Sequence, residues 1–242
     1  MHTGIGRVLQ LILSDGCRYA RLSCPENLVP APGQYLLASE GSDAILSLSK
    51  YSHLPVPIFY TDSAPPGFIS TAPDSWLPGT QLHLRGPLGR GFALPAEARK
   101  VGLVAFDDVP ARLRGLVGPA LKQDASVVLV CNAASEDLPD EVEVQPLSAL
   151  DEILGWADYL AFDMRRENLP QLAERLERVD QLPVVKARVE LSRNEAQVLV
   201  HTQMPCGGIA ECGVCAVVTK SGWRMACKDG PVFDLRDVLY PT

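Results

Sequence analysis

Four of the chain's seven cysteines fall within 22 residues near its C-terminus, spaced C-x5-C-x2-C-x11-C, and no other stretch limits the fold so tightly. Cys206, Cys212 and Cys215 lie on one glycine-rich run, Met204-Pro205-Cys206-Gly207-Gly208-Ile209-Ala210-Glu211-Cys212-Gly213-Val214-Cys215-Ala216. Cys227 follows after a segment long enough for a short hairpin, so four thiols can converge on one centre. Gly207, Gly208 and Gly213 suit a loop wrapped around an anion. A residue without Cβ lets backbone N–H groups approach closely and adopt unusual dihedrals. No lysine or arginine lies between Cys206 and Cys215, so the loop offers dipoles rather than charges.

The spacing is close to the C-x4-C-x2-C…C pattern of plant-type [2Fe–2S] ligation, with Cys206, Cys212, Cys215 and Cys227 as the thiolates. A structural zinc site also uses four thiolates, but it ordinarily shows two CxxC knuckles, and only Cys212–Cys215 forms one. Disulfides belong to oxidising compartments, and nothing in the sequence points to secretion.

With 242 residues, 47% of them hydrophobic, the chain has material for two or three small units. A formal charge of −7 argues against a nucleic-acid partner, which requires a basic face. No window approaches the roughly 18 consecutive apolar residues of a membrane span, and the first residues lack a leader pattern, so a cytoplasmic protein is expected. Cys17, Cys24 and Cys131 then read as reduced packing residues.

Residues 1–97 carry short apolar or alternating runs bounded by turn formers: Arg7–Leu13, Tyr19–Ser23, Gln34–Ala38, Ile58–Tyr60, Gly67–Ile69 and Gln81–Gly86. Strands at this spacing predict a closed antiparallel barrel. From Lys100 the period changes. Val101–Phe106, Val127–Cys131, Glu141–Val144 and Tyr159–Phe162 read as strands. Helical patterns at Val109–Lys122, Ala149–Gly155 and Glu167–Val179 alternate with them, which predicts an α/β parallel sheet. Beyond Pro183, Lys186–Glu190 and Val198–Val200 are expected as strands carrying the cysteine loop. His53, His83 and His201 are scattered, and His201 is expected to point outward from its strand. Trp223 is expected to pack on the hairpin between Cys215 and Cys227.

The run MPCGGIAECGVCAV…MACKDGPVFD resembles the iron–sulfur domain of the dihydroorotate dehydrogenase electron-transfer subunit family, which is shared by related small subunits of ferredoxin:NADP and sulfhydrogenase-type complexes. The match is specific in Cys212-Gly213-Val214-Cys215 and in Cys227-Lys228-Asp229-Gly230-Pro231-Val232-Phe233; one extra residue separates Cys206 from Cys212. The segments PGQYLL and PGTQLHLRGPLGRGF resemble the same family's flavin barrel. The resemblance implies an α+β multidomain chain of the ferredoxin-reductase-like kind. A flavin-domain-like barrel (1–97) precedes a degenerate nucleotide-binding α/β domain (98–182) and a [2Fe–2S] domain (183–242).

Two of that family's motifs are missing. Flavin binders carry Arg-x-Tyr/Phe-Ser/Thr on a barrel strand, where the Arg meets flavin phosphates and the hydroxyl meets the ring. Here Val56 stands at the Arg position and Phe59 at the hydroxyl position, so a charge-assisted phosphate contact is lost, for which Lys50 or Ser70-Thr71 would compensate only in part. After the first α/β strand the family has a glycine-rich turn for dinucleotide phosphates. This chain has Asp107-Asp108-Val109-Pro110, two carboxylates that repel phosphate, or else a cap for the following helix. The expectation is therefore a one-electron carrier with a [2Fe–2S] cluster and no NAD(P) site, whose partner is a redox subunit such as a flavoprotein dehydrogenase. The alternatives are an FAD-containing subunit with the full family activity, and a non-redox scaffold with zinc or nothing in the cysteine loop.

Overall fold

The computed structural model describes residues 2–14, 16–41, 55–107, 109–133, 137–178 and 195–240. The expected Lys186–Glu190 strand, together with Lys50, His53 and Asp108, lies outside these residues.

The N-terminal unit is a seven-stranded antiparallel sheet of β1 (His2–Ser14), β2 (Cys17–Ser23), β3 (Tyr35–Glu40), β4 (Val56–Phe59), β5 (Asp62–Ser63), β6 (Gly67–Thr71) and β7 (Gln81–Leu88). Its order is β4-β3-β7-β1-β2-β6-β5. The edge strands β4 and β5 do not pair with each other, so the sheet is a half-barrel rather than a fully closed one. One continuous segment serves both edges, because the chain leaves β4 at Phe59, Thr61 N–H donates to the Ile69 carbonyl (2.8 Å), and β5 pairs with β6. Inside lie Leu22, Leu36, Ile58, Phe68, Trp76 and Leu82.

β3 is buried on both faces for a reason that bears on function. Successive strand residues point to opposite sides. Leu36 and Ala38 therefore enter the barrel core, while Tyr35 and Leu37 join a second core that also contains Cys215 and Cys227.

The second sheet has six strands: β8 (Lys100–Ala105), β9 (Ser126–Val130), β10 (Val142–Gln145), β11 (Tyr159–Arg165), β12 (Glu195–His201) and β15 (Val232–Asp234). A separate hairpin, β13 (Ala216–Thr219) and β14 (Gly222–Met225), precedes β15 in the chain. The order of the six is β10-β9-β8-β11-β12-β15; the first five are parallel and β15 runs antiparallel to β12. The near-continuous apolar character of β8, β9 and β11 is that of parallel strands covered on both faces. Among the described residues the helices are α1 (Val117–Lys122), α2 (Leu150–Trp156), α3 (Leu169–Arg178) and α4 (Leu235–Leu239). The helical pattern from Val109 resolves into two 3-10 turns, Pro110–Arg112 and Arg114–Leu116, and only then α1. Pro110, Gly115 and Pro119 interrupt that stretch, each weakening a regular i→i−4 ladder.

β12 and β15 are neighbours in the central sheet, so the cysteine segment is an excursion between two of its strands. The sheet thus continues past residue 183. Among the described residues no helix is long and apolar enough to cross a membrane.

Candidate metal centre

All four cysteines of the C-terminal run come together. Cys212 neighbours Cys206 closely enough to affect its pKa, Cys215 does the same to Cys227, and Cys206 also lies near enough to Cys227 to raise its pKa. Cys215 and Cys227 are buried, Cys206 is half-buried, and Cys212 is exposed. Among the described residues no three His, Cys, Asp or Glu side chains close round a single ion; the sulfurs stand as two pairs.

Two opposite environments exist within the set. Burial pushes the Cys206 thiol up, but hydrogen bonds from the Cys212 side chain and from the backbone N–H groups of Cys212, Glu211 and Ile209 outweigh it, and its pKa falls to about 6. Those N–H groups are aimed at sulfur because the loop turns through left-handed residues, Gly207, Gly208, Ala210 and Gly213. Cys227 is pushed up to about 12 by burial, by its hydrogen bond to Cys215 and by that neighbour's charge. A pocket that favours thiolate at one end and resists uncompensated charge at the other suits ligands whose charge a metal centre neutralises.

Three elements hold the loop. Tyr35 of β3 donates its hydroxyl to the Cys227 carbonyl (2.7 Å). Arg166, in the turn after β11, donates from one nitrogen to the carbonyls of Val214 (2.7 Å) and Ala216 (2.9 Å), either side of Cys215. Asp229 accepts from Met225 N–H (2.8 Å) and so closes the turn that presents Cys227. Gly208 sits at φ 75°, and a Cβ there would lie 2.9 Å from the Tyr35 hydroxyl. Sequence reasoning missed Tyr35 and Arg166, which no local pattern ties to the cysteines.

The two resembling motifs also touch. A Cβ on Gly89 would lie 2.5 Å from the Gly230 carbonyl, and Arg90 bridges to Pro231. Gly89 is thus needed where barrel and cysteine region meet.

The expected flavin and dinucleotide positions look different from the sequence alone. Val56 is exposed and Phe59 buried. The Phe59 ring packs against Tyr35 (centroids 5.8 Å) and His201 (6.5 Å), with the Arg112 guanidinium 5.9 Å from its centroid. His201 therefore faces the space between barrel and sheet, not outward as expected. Burial first, then the cations Arg112 and Arg165, lower its pKa to about 4. Ser70 is buried and donates to the Thr71 carbonyl (2.9 Å). Asp107 does not cap the following turn: its carboxylate accepts from Arg165 N–H and from the Asn168 amide, while Val109 at the cap position makes no side-chain bond. Trp223 is 68% exposed on β14 rather than packed on its hairpin. Cys131 is buried in the central sheet, away from the other thiols.

Residues 201–239 match the iron–sulfur cluster binding domain of dihydroorotate dehydrogenase B. The chain is 27% identical over 158 residues to the dihydroorotate dehydrogenase B (NAD(+)) electron transfer subunit of Clostridium acetobutylicum, a match covering 64% of this chain and 63% of that one. It is 45% identical over 42 residues, 17% of this chain and 14% of the other, to sulfhydrogenase 1 subunit gamma of Pyrococcus furiosus. The chain thus spans less than two-thirds of the length of either curated relative. Among solved structures, that of an NADH-dependent reduced ferredoxin-NADP oxidoreductase superposes with TM-score 0.69 at 14% identity over 97% of this chain and 90% of that one. The ferredoxin reductase of carbazole 1,9a-dioxygenase, in its FAD apo form, gives 0.51 at 14% identity over 74% and 63%. These likenesses establish a ferredoxin-reductase-like fold, in which residues 201–239 are similar to an iron–sulfur cluster binding domain.

Proposed function

We propose that this chain is the electron-transfer component of an oxidoreductase complex, holding one [2Fe–2S] cluster on Cys206, Cys212, Cys215 and Cys227 and exchanging electrons with a partner redox subunit, without a flavin or NAD(P)H site of its own. The observation that carries the reading is that the four cysteines lie as neighbours, Cys212 by Cys206 and Cys215 by Cys227, in a segment similar to an iron–sulfur cluster binding domain. Two thiols for each of two irons is the stoichiometry of a dinuclear centre, whereas one zinc ion requires all four around a single point. A cluster bound there supplies one-electron transfer, at roughly −400 mV for all-thiolate sites of this type.

The chain's own groups divide the remaining work. The N–H groups of Ile209, Glu211 and Cys212 favour thiolate at Cys206. Buried Cys215 and Cys227 exclude water from one edge, and exposed Cys212, flanked by Ile209 (53% exposed) and Val214 (39%), leaves the other edge open to a partner. An exposed apolar surface beside a redox centre is what a transient protein partner covers. The reading keeps three units, 1–97, 98–182 and 183–242, although one sheet runs through the last two.

Absence of the family's other cofactors is supported by what fills their places. Phe59, with Tyr35, His201 and Arg112 around it, replaces the hydroxyl of the flavin signature. In an open α/β sheet the nucleotide crevice lies at the strand ends where the order reverses. Here that point falls between β8 and β11, where Arg112 pairs with buried Asp163 at 2.8 Å. No phosphate-cradling glycine follows β8.

Anaerobic reconstitution, followed by iron and sulfide assays and EPR after reduction, tests the reading. About two irons and two sulfides per chain with a rhombic signal are expected; zinc alone, or no metal uptake, overturns it. Yellow flavin released by heat, or bleaching by NADH of the isolated chain, overturns the absence of those sites.

A further inference from the structure

The cysteine run contains no cation between Cys206 and Cys215, yet the fold brings one to it. Arg85 lies on β7, more than a hundred residues earlier, on the face of the strand turned away from the barrel core. Its guanidinium nitrogen would stand 3.4 Å from a Cβ placed on Gly207, the residue next to Cys206. Arg85 also lines, with Leu37, Pro55, Pro205, Cys206 and Gly207, a cleft of about 600 Å³ that opens beside the cysteine loop. Its charge reaches Tyr35, whose hydroxyl feels the Cys206, Cys215 and Cys227 thiolates as well.

Among the described residues Arg85 has no hydrogen-bond or ion-pair acceptor. A half-buried guanidinium that finds no acceptor among the described residues is costly in a chain that carries a net −7 and has many carboxylates. Cys206 itself lines the same cleft as Arg85.

We propose that Arg85 is the counter-charge of the iron–sulfur centre and holds its reduction potential up. The proposal rests on the cluster reading above. Four thiolates and two sulfides around two ferric ions leave a net charge of −2, and uptake of one electron makes it −3. A fixed positive charge stabilises the more negative form more strongly, so the oxidised–reduced equilibrium shifts toward reduced. Arg85 touches the turn that carries Cys206 rather than an electron donor or acceptor, and acts as a tuning residue through its field.

The test is a spectroscopic redox titration of reconstituted wild-type protein, Arg85→Gln and Arg85→Lys, with iron content measured in each. Arg85→Gln is expected to be on the order of tenfold less reduced at a fixed ambient potential, about 59 mV lower for a one-electron couple. Arg85→Lys keeps the charge and is expected to recover most of the difference, which a purely packing role does not predict. Equal midpoints for loaded wild type and loaded Arg85→Gln overturn the inference, as does Arg85→Lys titrating with Arg85→Gln. If Arg85→Gln fails to take up iron, the comparison of Arg85→Lys with wild type decides, and a Lys midpoint lowered by the full tenfold overturns it. A wild-type chain that takes up no iron removes the underlying reading as well, and is told apart by its iron assay alone.

Discussion

The Tyr35 hydroxyl donates to the carbonyl of Cys227 across 192 residues of sequence. This one bond ties the half-barrel to the last of the four thiols and fixes the distance between β3 and the cysteine loop. Burial and the neighbouring thiolates both hold the phenol protonated, well above its ordinary pKa, so it remains a donor at any physiological pH.

Tyr35→Phe keeps the ring packed against Phe59 and removes the donor. The loss is expected to be about 1 kcal/mol, the typical worth of a neutral buried hydrogen bond. Iron release to a chelator should accelerate roughly fivefold; unchanged release would mean that the Cys227 carbonyl finds another donor.

At Gly208 two constraints coincide, a φ of 75° and the Tyr35 hydroxyl 2.9 Å from any added Cβ. Gly208→Ala is expected to cost about 1–2 kcal/mol for the left-handed backbone alone, with the steric overlap in addition. Gly118→Ala, in α1 with nothing within 4 Å of its Cβ, serves as control and should be neutral or slightly stabilising. Thermal unfolding midpoints of the two variants check this.

Arg166 spans the Val214 and Ala216 carbonyls, both accepting from its charged nitrogen. Its side chain is 37% exposed, so solvent screening reduces what each bond contributes. Arg166→Ala is expected to lower stability by about 1–2 kcal/mol and to loosen Cys215 before Cys227. Hydrogen exchange at Val214–Ala216 should rise while that of β8 and β11 stays unchanged.

His201 gives the acid limb of the stability profile a definite sign. Its folded pKa of about 4 lies below the ordinary 6.5, so the folded state prefers the neutral ring. The stability it contributes is complete above pH 6.5 and is lost as pH falls from there through 4, on the order of 2 kcal/mol. Asp163 runs the other way. Burial outweighs the Arg112 ion pair and raises its carboxyl to about 6, so protonation between pH 6 and 4 favours the folded chain. His201→Phe should therefore flatten or reverse the loss between pH 6.5 and 4 in urea titrations. An unchanged slope would place the acid-sensitive group elsewhere.

Cys215→Ser is expected to abolish the iron signal, because the residue is buried and paired with Cys227. Cys131→Ser should leave the visible spectrum unaltered, since its sulfur donates to the Ala133 carbonyl (3.3 Å) in the turn just after β9. Bleaching by the second variant would mean the wrong four ligands.

The residue pattern alone was enough to locate the four cysteines, their loop, and the change from antiparallel strands to alternating strands and helices. Ligand spacing, turn glycines and side-chain period are local properties, written within about twenty residues. The tertiary structure decided what surrounds them. Tyr35, Arg85 and Arg166 reach the cysteine loop from β3, β7 and the turn after β11, positions that no period or spacing connects to Cys206. The same holds for Asp107, which reads locally as a helix cap but bonds instead to Arg165 N–H across the sheet, and for His201, which turns toward Phe59. A contact between distant residues exists only once two sheets have packed and their facing side chains have been sorted by burial. Its free energy belongs to that packing, not to either segment alone.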